Sequence, residues 1–143
     1  MNEEEKAIAT RAQSVFAKNP SLSLATSGGA YSPWVAGVYF AHDGLALYTL
    51  VENSGKTMEN LRANSRVSFL VSENDAQKDF VQGIGHAQLL DEEQAAAVRQ
   101  RLEAKLPWYK TYTPVVPVRI DAEALLVSSL ASGWFPAKRL NLR

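Results

Sequence analysis

Hydrophobic residues near the start of the chain recur at Ile8, Ala12, Val15 and Phe16, which puts them on one face of a helix. Asn2 stands where an N-cap belongs, and Glu3, Glu4 and Glu5 suit the positive end of the helix dipole. Asn19-Pro20 predicts the stop. From residue 22 the period becomes that of strands. LSLAT (22–26) leads into the turn-rich SGGAYSP, and WVAGVYFA (34–41) and LALYTL (45–50) flank Asp43-Gly44, a hairpin signal. ENSG then opens a short helix, with Ser54 as its expected cap and Met58 and Leu61 on one face. RVSFLV (66–71) is a further strand. DFVQGIGHAQLL (79–90) is a long extended segment in which Gly83 and Gly85 predict a bend, a bulge or close packing against the backbone. DEEQ gives a capping box from Asp91 to Gln94 before another helix, with Val98, Leu102 and Leu106 on one side and Pro107 at its end. PVVPVRI (114–120) and LLVSSL (125–130) are strands, and ASGWFPAKRLNLR closes the chain.

About six short strands joined mostly by tight turns, with helices early, midway and late, predict a mainly β fold. A small antiparallel barrel with flanking helices suits this order better than a regular βαβ alternation. No repeat or second domain interrupts residues 1–143, of which 1–19 form the N-terminal helix. The 143 residues, 46% of them hydrophobic, fit one core.

Composition narrows the chemistry. Fifteen basic residues balance fifteen acidic ones, so the basic excess of a dedicated nucleic-acid binder is missing. With no cysteine there is no disulfide, thiolate metal site or cysteine nucleophile, and two histidines, His42 and His86, are too few for a histidine-rich metal site. No apolar run approaches the ~18 residues of a membrane span, and the acidic N-terminus lacks the order of a secretory signal. A cytoplasmic protein is expected.

SGKT at 54–57, between a strand and a helix, has the local layout of a nucleotide-binding P-loop. The first glycine of that motif would fall at position 50, which is Leu50, and no apolar strand closes on an aspartate to bind magnesium. The hydrolase reading fails on that glycine. The physical case for a phosphate survives. Lys56 brings a mobile charge, Ser54 and Thr57 bring hydroxyls, and the first helical turn offers unpaired N–H groups. From these residues alone, a plain helix cap with a solvated lysine is the favoured reading.

The wider order settles more. The LATS strand, PWVAGVYFA, LALYTL, SGKTMENL, RANSRVSFLV and VQGIGHAQLL together resemble the FMN-binding split-barrel family, which includes the pyridoxamine 5′-phosphate oxidases. The resemblance spans residues 22–143. It implies a six-stranded antiparallel split β-barrel and a homodimer with FMN in grooves between subunits. It also implies that Lys56 binds the FMN phosphate beside Ser54 and Gly55. Tyr48 and Thr49 match a pair on the phosphate side. Val35, Ala36, Gly37 and Val38 occupy the strand along the flavin ring, and Gln82 lies in a strand that supplies a polar contact.

The tail departs from the oxidases. Trp134 is followed by RLNLR, so Arg139 and Arg143 match two arginines, but Asn141 stands where the family has histidine and Leu142 replaces an aspartate. The spacing from the tryptophan is shorter by one. Arginine ligation and a Trp134 ring cover survive this change, while a pyridoxine substrate loses support. Trp134, Phe135 and Leu140 serve equally well as anchors onto a partner. The resemblance implies an FMN-dependent oxidoreductase of unstated substrate. Its alternatives are a non-catalytic flavin or heme binding protein and a cofactor-free dimeric scaffold. His42 reads as a turn residue and His86 as a structural one. Trp108, Tyr109 and Tyr112 read either as core or as the lining of a substrate cleft.

Overall fold

The computed structural model describes residues 1–142. Helix α1, Glu3–Lys18, starts where its cap predicts: Asn2 Oδ1 accepts from the Glu5 N–H at 2.8 Å, and Glu5 returns the bond at 3.0 Å. Its buried face is Ile8, Ala9, Ala12, Val15 and Phe16. The strands follow as β1 (Ser21–Thr26), β2 (Trp34–Tyr39), β3 (Ala41–Asp43) and β4 (Ala46–Glu52). Then come α2 (Lys56–Ala63), β5 (Arg66–Val71), β6 (Phe80–Leu89), α3 (Ala95–Lys105), β7 (Val115–Ser129) and β8 (Trp134–Asn141). Gly44, at φ 59°, makes the β3–β4 turn that Asp43-Gly44 predicts.

All neighbouring strands pair antiparallel, in the order β2-β1-β5-β6-β7-β4-β3, with β8 also on β7. The mainly β class with flanking helices holds, and the count rises from six to eight. The expected strand 34–41 breaks at Phe40, which separates β3 from β2. The two expected strands at 114–120 and 125–130 are one strand. β7 runs along β6 for most of its length and changes its other partner from β4 to β8 near Asp121, so the polar DAEA segment does not end it. The tail, expected only as an aromatic and basic stretch, is β8.

Inside lies one large cluster that includes Phe16, Leu24, Phe40, Leu47, Met58, Val71, Ile120, Leu125 and Leu140. A smaller one joins α3 to β4 through Leu50, Val98, Leu102, Leu106 and Tyr109. Both β6 glycines have reasons to be glycine. A Cβ on Gly83 would collide with the Phe69 ring, and one on Gly85 with the Asp121 carbonyl, where the β6–β7 register shifts.

Candidate functional site

β2, the end of β4, the start of α2 and the loop after α3 border a cleft of about 310 Å³. From β2 come Ala36, Gly37, Val38 and Tyr39; from β4 come Leu50, Val51 and Glu52. Gly55, Lys56 and Thr57 enter from α2, and Tyr109 and Lys110 from the loop. β2 ends the strand order, so its edge away from β1 carries unpaired backbone donors and acceptors.

Packing fixes the position of α2. Asn60, 1% exposed, accepts from the Gly29 N–H at 2.7 Å and donates to Thr26 Oγ1 at 3.0 Å and to the Tyr31 carbonyl at 2.8 Å. The Ala30 N–H adds a bond to Glu59 at 3.2 Å. These bonds hold the 27–33 loop against the helix, and that loop supplies the ring on which Lys56 rests. Lys56 Nζ is 4.9 Å from the Tyr31 ring centroid and 5.7 Å from that of Trp34, a cation–π contact. Lys56 forms no ion pair among the described residues. Ser54 is not the cap. The helix starts one residue later, with Gly55 as N-cap and no side-chain bond to the first turn, which leaves its N–H groups open.

The other candidates divide. Ala36, Gly37, Val38, Gly55 and Lys56 meet at the cleft, while Val35, 64% exposed, points outward from β2 next to it. Tyr48 and Thr49 do not border it. The Thr49 hydroxyl donates to the Tyr39 carbonyl at 2.7 Å and ties β4 to the end of β2. The Tyr48 hydroxyl accepts from Arg119 at 3.0 Å, with the Arg101 guanidinium 4.7 Å from its ring centroid. Gln82 and Arg139 lie on the outer face of the sheet. Cross-strand pairs run Gly37, Ser23, Leu70, Gln82, Leu126, Arg139, so five strand steps, about 24 Å along the sheet at ~4.8 Å each, separate Gly37 from Arg139. Trp134 is half-buried beside α1, with the Arg11 guanidinium 4.9 Å from its ring centroid. Arg143 lies outside the described residues.

A sequence profile described as Pyridoxamine 5'-phosphate oxidase matches residues 8–129. The chain belongs to this family. Solved structures repeat the fold. A heme binding protein from Mycobacterium smegmatis superposes with TM-score 0.71 at 17% identity, over 94% of this chain and 57% of that one. An F420 reductase gives 0.66 at 20%, over 80% and 94%. General Stress Protein 26 from Bacillus anthracis gives 0.66 at 16%, over 94% and 98%. At these identities the likeness concerns the fold alone. Comparison with curated proteins gives no match.

Much of the family block SGKTMENLRANSRV is structural. Besides Asn60, Arg62 donates to the Asn53 carbonyl and side chain at 3.1 and 2.7 Å, and Asn64 donates to Ser27 at 3.0 Å. Sequence reasoning gave no signal for Tyr39, Glu52 or Lys110 in the cleft. Lys110 follows a helix in an irregular loop, where no period marks its direction. Tyr109 answers both of its readings: it is buried in the smaller core cluster and borders the cleft. Burial pushes its phenol up, against the charge of Arg99. Trp108 packs edge-on against Tyr39, centroids 4.9 Å apart, and Tyr112 is 90% exposed.

Neither histidine borders the cleft. His42 Nδ1 lies 3.1 Å from the Gly44 carbonyl. His86 sits between Ser65 Oγ at 3.2 Å and Glu123 at 2.7 Å, with Arg66 3.5 Å from the same carboxylate. Desolvation works to raise the Glu123 carboxyl, but the His86 hydrogen bond and the Arg66 charge outweigh it and hold it below the usual range.

Proposed function

We propose that two copies of this chain form an FMN flavoprotein with oxidoreductase chemistry. The observation that carries this reading is the cleft itself. It sets a lysine that forms no ion pair among the described residues, and an uncapped helix N-terminus, beside the free edge of a strand of small residues. A phosphate suits the first two, and a flat ring with polar edges suits the third. Its residues fit the group: a Cβ added at Gly37 would meet nothing within 4 Å, so the glycine leaves the surface open. At about 310 Å³ the cleft is at the small end of ligand sites, which run ~300–1,000 Å³, and leaves a ring to be covered by other atoms.

Those atoms come, in this reading, from a second subunit. Arg139, five strand steps from Gly37, is too far along the sheet to serve the cleft of its own chain, and Gln82 stands three steps away on the same face. The face they occupy also carries exposed Val35 and Ile84, joined by direct cross-strand pairs through Ala25 and Ser68, with exposed Leu126 paired to Gln82 in the neighbouring row. An apolar strip on an outer sheet face suits isologous pairing, and in this reading Arg139 of one copy would approach β2 of the other. Bound FMN would supply hydride or electron transfer. Lys56 and the α2 N–H groups would hold its phosphate, the β2 edge would orient its ring, and the partner face would exclude water. That neither His42 nor His86 borders the cleft favours flavin over a histidine-ligated heme.

Titrating the purified protein with FMN tests this. Saturable flavin fluorescence quenching at one FMN per chain is expected. A colourless protein with no quenching, or a Soret band on hemin addition in place of it, would overturn the reading.

A further inference from the structure

A second cavity, of about 370 Å³, shares no residue with the cleft. α1 lends it Ala17, β3 lends Ala41 and His42, and α3 lends Arg101, Ala104 and Lys105. The α3 residues fall at i, i+3 and i+4, so one face of the helix presents all three. Alanine at 17, 41 and 104 keeps the space between the three elements open, because a longer side chain there would occupy it. Every ionisable residue in the lining is basic, and the volume lies within the ~300–1,000 Å³ of ligand sites.

The charges around this space are unevenly matched. Lys105 Nζ has its three donors satisfied by the Phe16, Asn19 and Phe40 carbonyls, but it forms no ion pair among the described residues. Carbonyl dipoles satisfy donors without supplying a full counter-charge. The burial that lowers the Lys105 pKa to about 8 marks a cation short of one. Arg101 has a partner in Asp43 at 3.4 Å, but that carboxylate is 64% exposed and outside the cavity lining, so the pair is a weak surface one. The Tyr48 ring, its centroid 4.7 Å from the guanidinium, steadies Arg101. His42 is held by its Nδ1 contact with the Gly44 carbonyl at 3.1 Å and by the edge of Phe16, centroids 5.7 Å apart. With His42 counted neutral, Lys105, Arg101 and Asp43 leave one net positive charge around an alanine-walled space. A monoanion with a short apolar part matches it. A phosphate dianion would exceed the charge available, and a neutral molecule would leave it unmet.

We propose that this cavity between α1, β3 and α3 is a binding site for a small organic monocarboxylate. Arg101 donates to the carboxylate through its planar fork. Lys105 contributes charge and no hydrogen bond, because its N–H groups are already engaged. The alkyl part lies against Ala17, Ala41 and Ala104. The site is independent of the FMN reading above.

The test is a ¹H–¹⁵N NMR titration of the full chain with sodium butyrate, with sodium chloride holding ionic strength constant and butyramide as the neutral isostere. Butyrate should move the Ala17, Ala41 and Ala104 amide signals to saturation with a Kd on the order of 1 mM, while butyramide leaves them in place. Arg101→Gln should weaken butyrate about fivefold. Ala104 is exposed on a helix, so Ala104→Leu should keep the thermal melt of the wild type and abolish saturation by filling the cavity. Equal responses to butyrate and butyramide, shifts that never saturate, or wild-type butyrate affinity in both variants would overturn the assignment.

Discussion

Lys105 has three ammonium hydrogens and three carbonyl partners. It donates to Phe16 at 3.0 Å, Asn19 at 2.6 Å and Phe40 at 3.0 Å, with Nζ 3.7 Å from the Phe40 ring centroid. One side chain of α3 thus ties down the end of α1, the approach to β1 and the end of β2. No carboxylate among the described residues pairs with it, and burial lowers its pKa from 10.5 to about 8. The sign follows from proton counts. Between pH 8 and 10.5 the unfolded chain holds a proton that the folded chain has released, so this group adds stability as pH rises. Tyr109 acts oppositely above pH 10, because its raised phenol keeps a proton that the unfolded chain loses. Urea unfolding at pH 7.5 and 9.5 should show wild type gaining relative to Lys105→Met across that interval. A constant difference between the two proteins would contradict the burial argument. A sequence match places Tyr48 and Thr49 on a strand, and in the structure each hydroxyl is engaged within the chain, by Arg119 and by Tyr39.

Among the elements, those with local signals are legible in sequence. The Asn2 cap, the Asp43-Gly44 turn and the Asp91 N–H bond to Gln94 at 3.1 Å all occur where composition puts them. Features set by distant partners are not. Nothing local in VRIDAEALLV shows that β7 continues, because its continuity depends on β6 and on the exchange of β4 for β8. β8 was hidden for the same reason, and the cleft needs a loop from residue 109 to meet a strand from residue 36. The β6 glycines fall between these cases: their presence predicts crowding, but only the fold shows that Phe69 and Asp121 cause it. Gly83→Ala should therefore destabilise by about 1–3 kcal/mol in denaturant unfolding, with partial recovery when Phe69→Leu is added. An Ala variant as stable as wild type would mean the Phe69 ring can move aside freely.

At the scale of the molecule, five strand steps, about 24 Å along the sheet, separate Gly37 in the cleft from Arg139 on the outer sheet face, and the proposed two-fold assembly is what would unite them. Ile84, 38% exposed on that face, is the place to break it. Ile84→Glu should sediment as a monomer and bind FMN far more weakly, although no cleft residue has changed. A monomer that binds FMN like wild type would separate the cleft from the assembly. The phosphate at Lys56 is tested most directly by titrating wild type and Lys56→Ala with FMN and riboflavin in parallel. FMN affinity should fall about ten- to a hundredfold in the variant while riboflavin affinity is unchanged. Equal losses for both ligands, or none for FMN, would contradict a flavin phosphate held at Lys56.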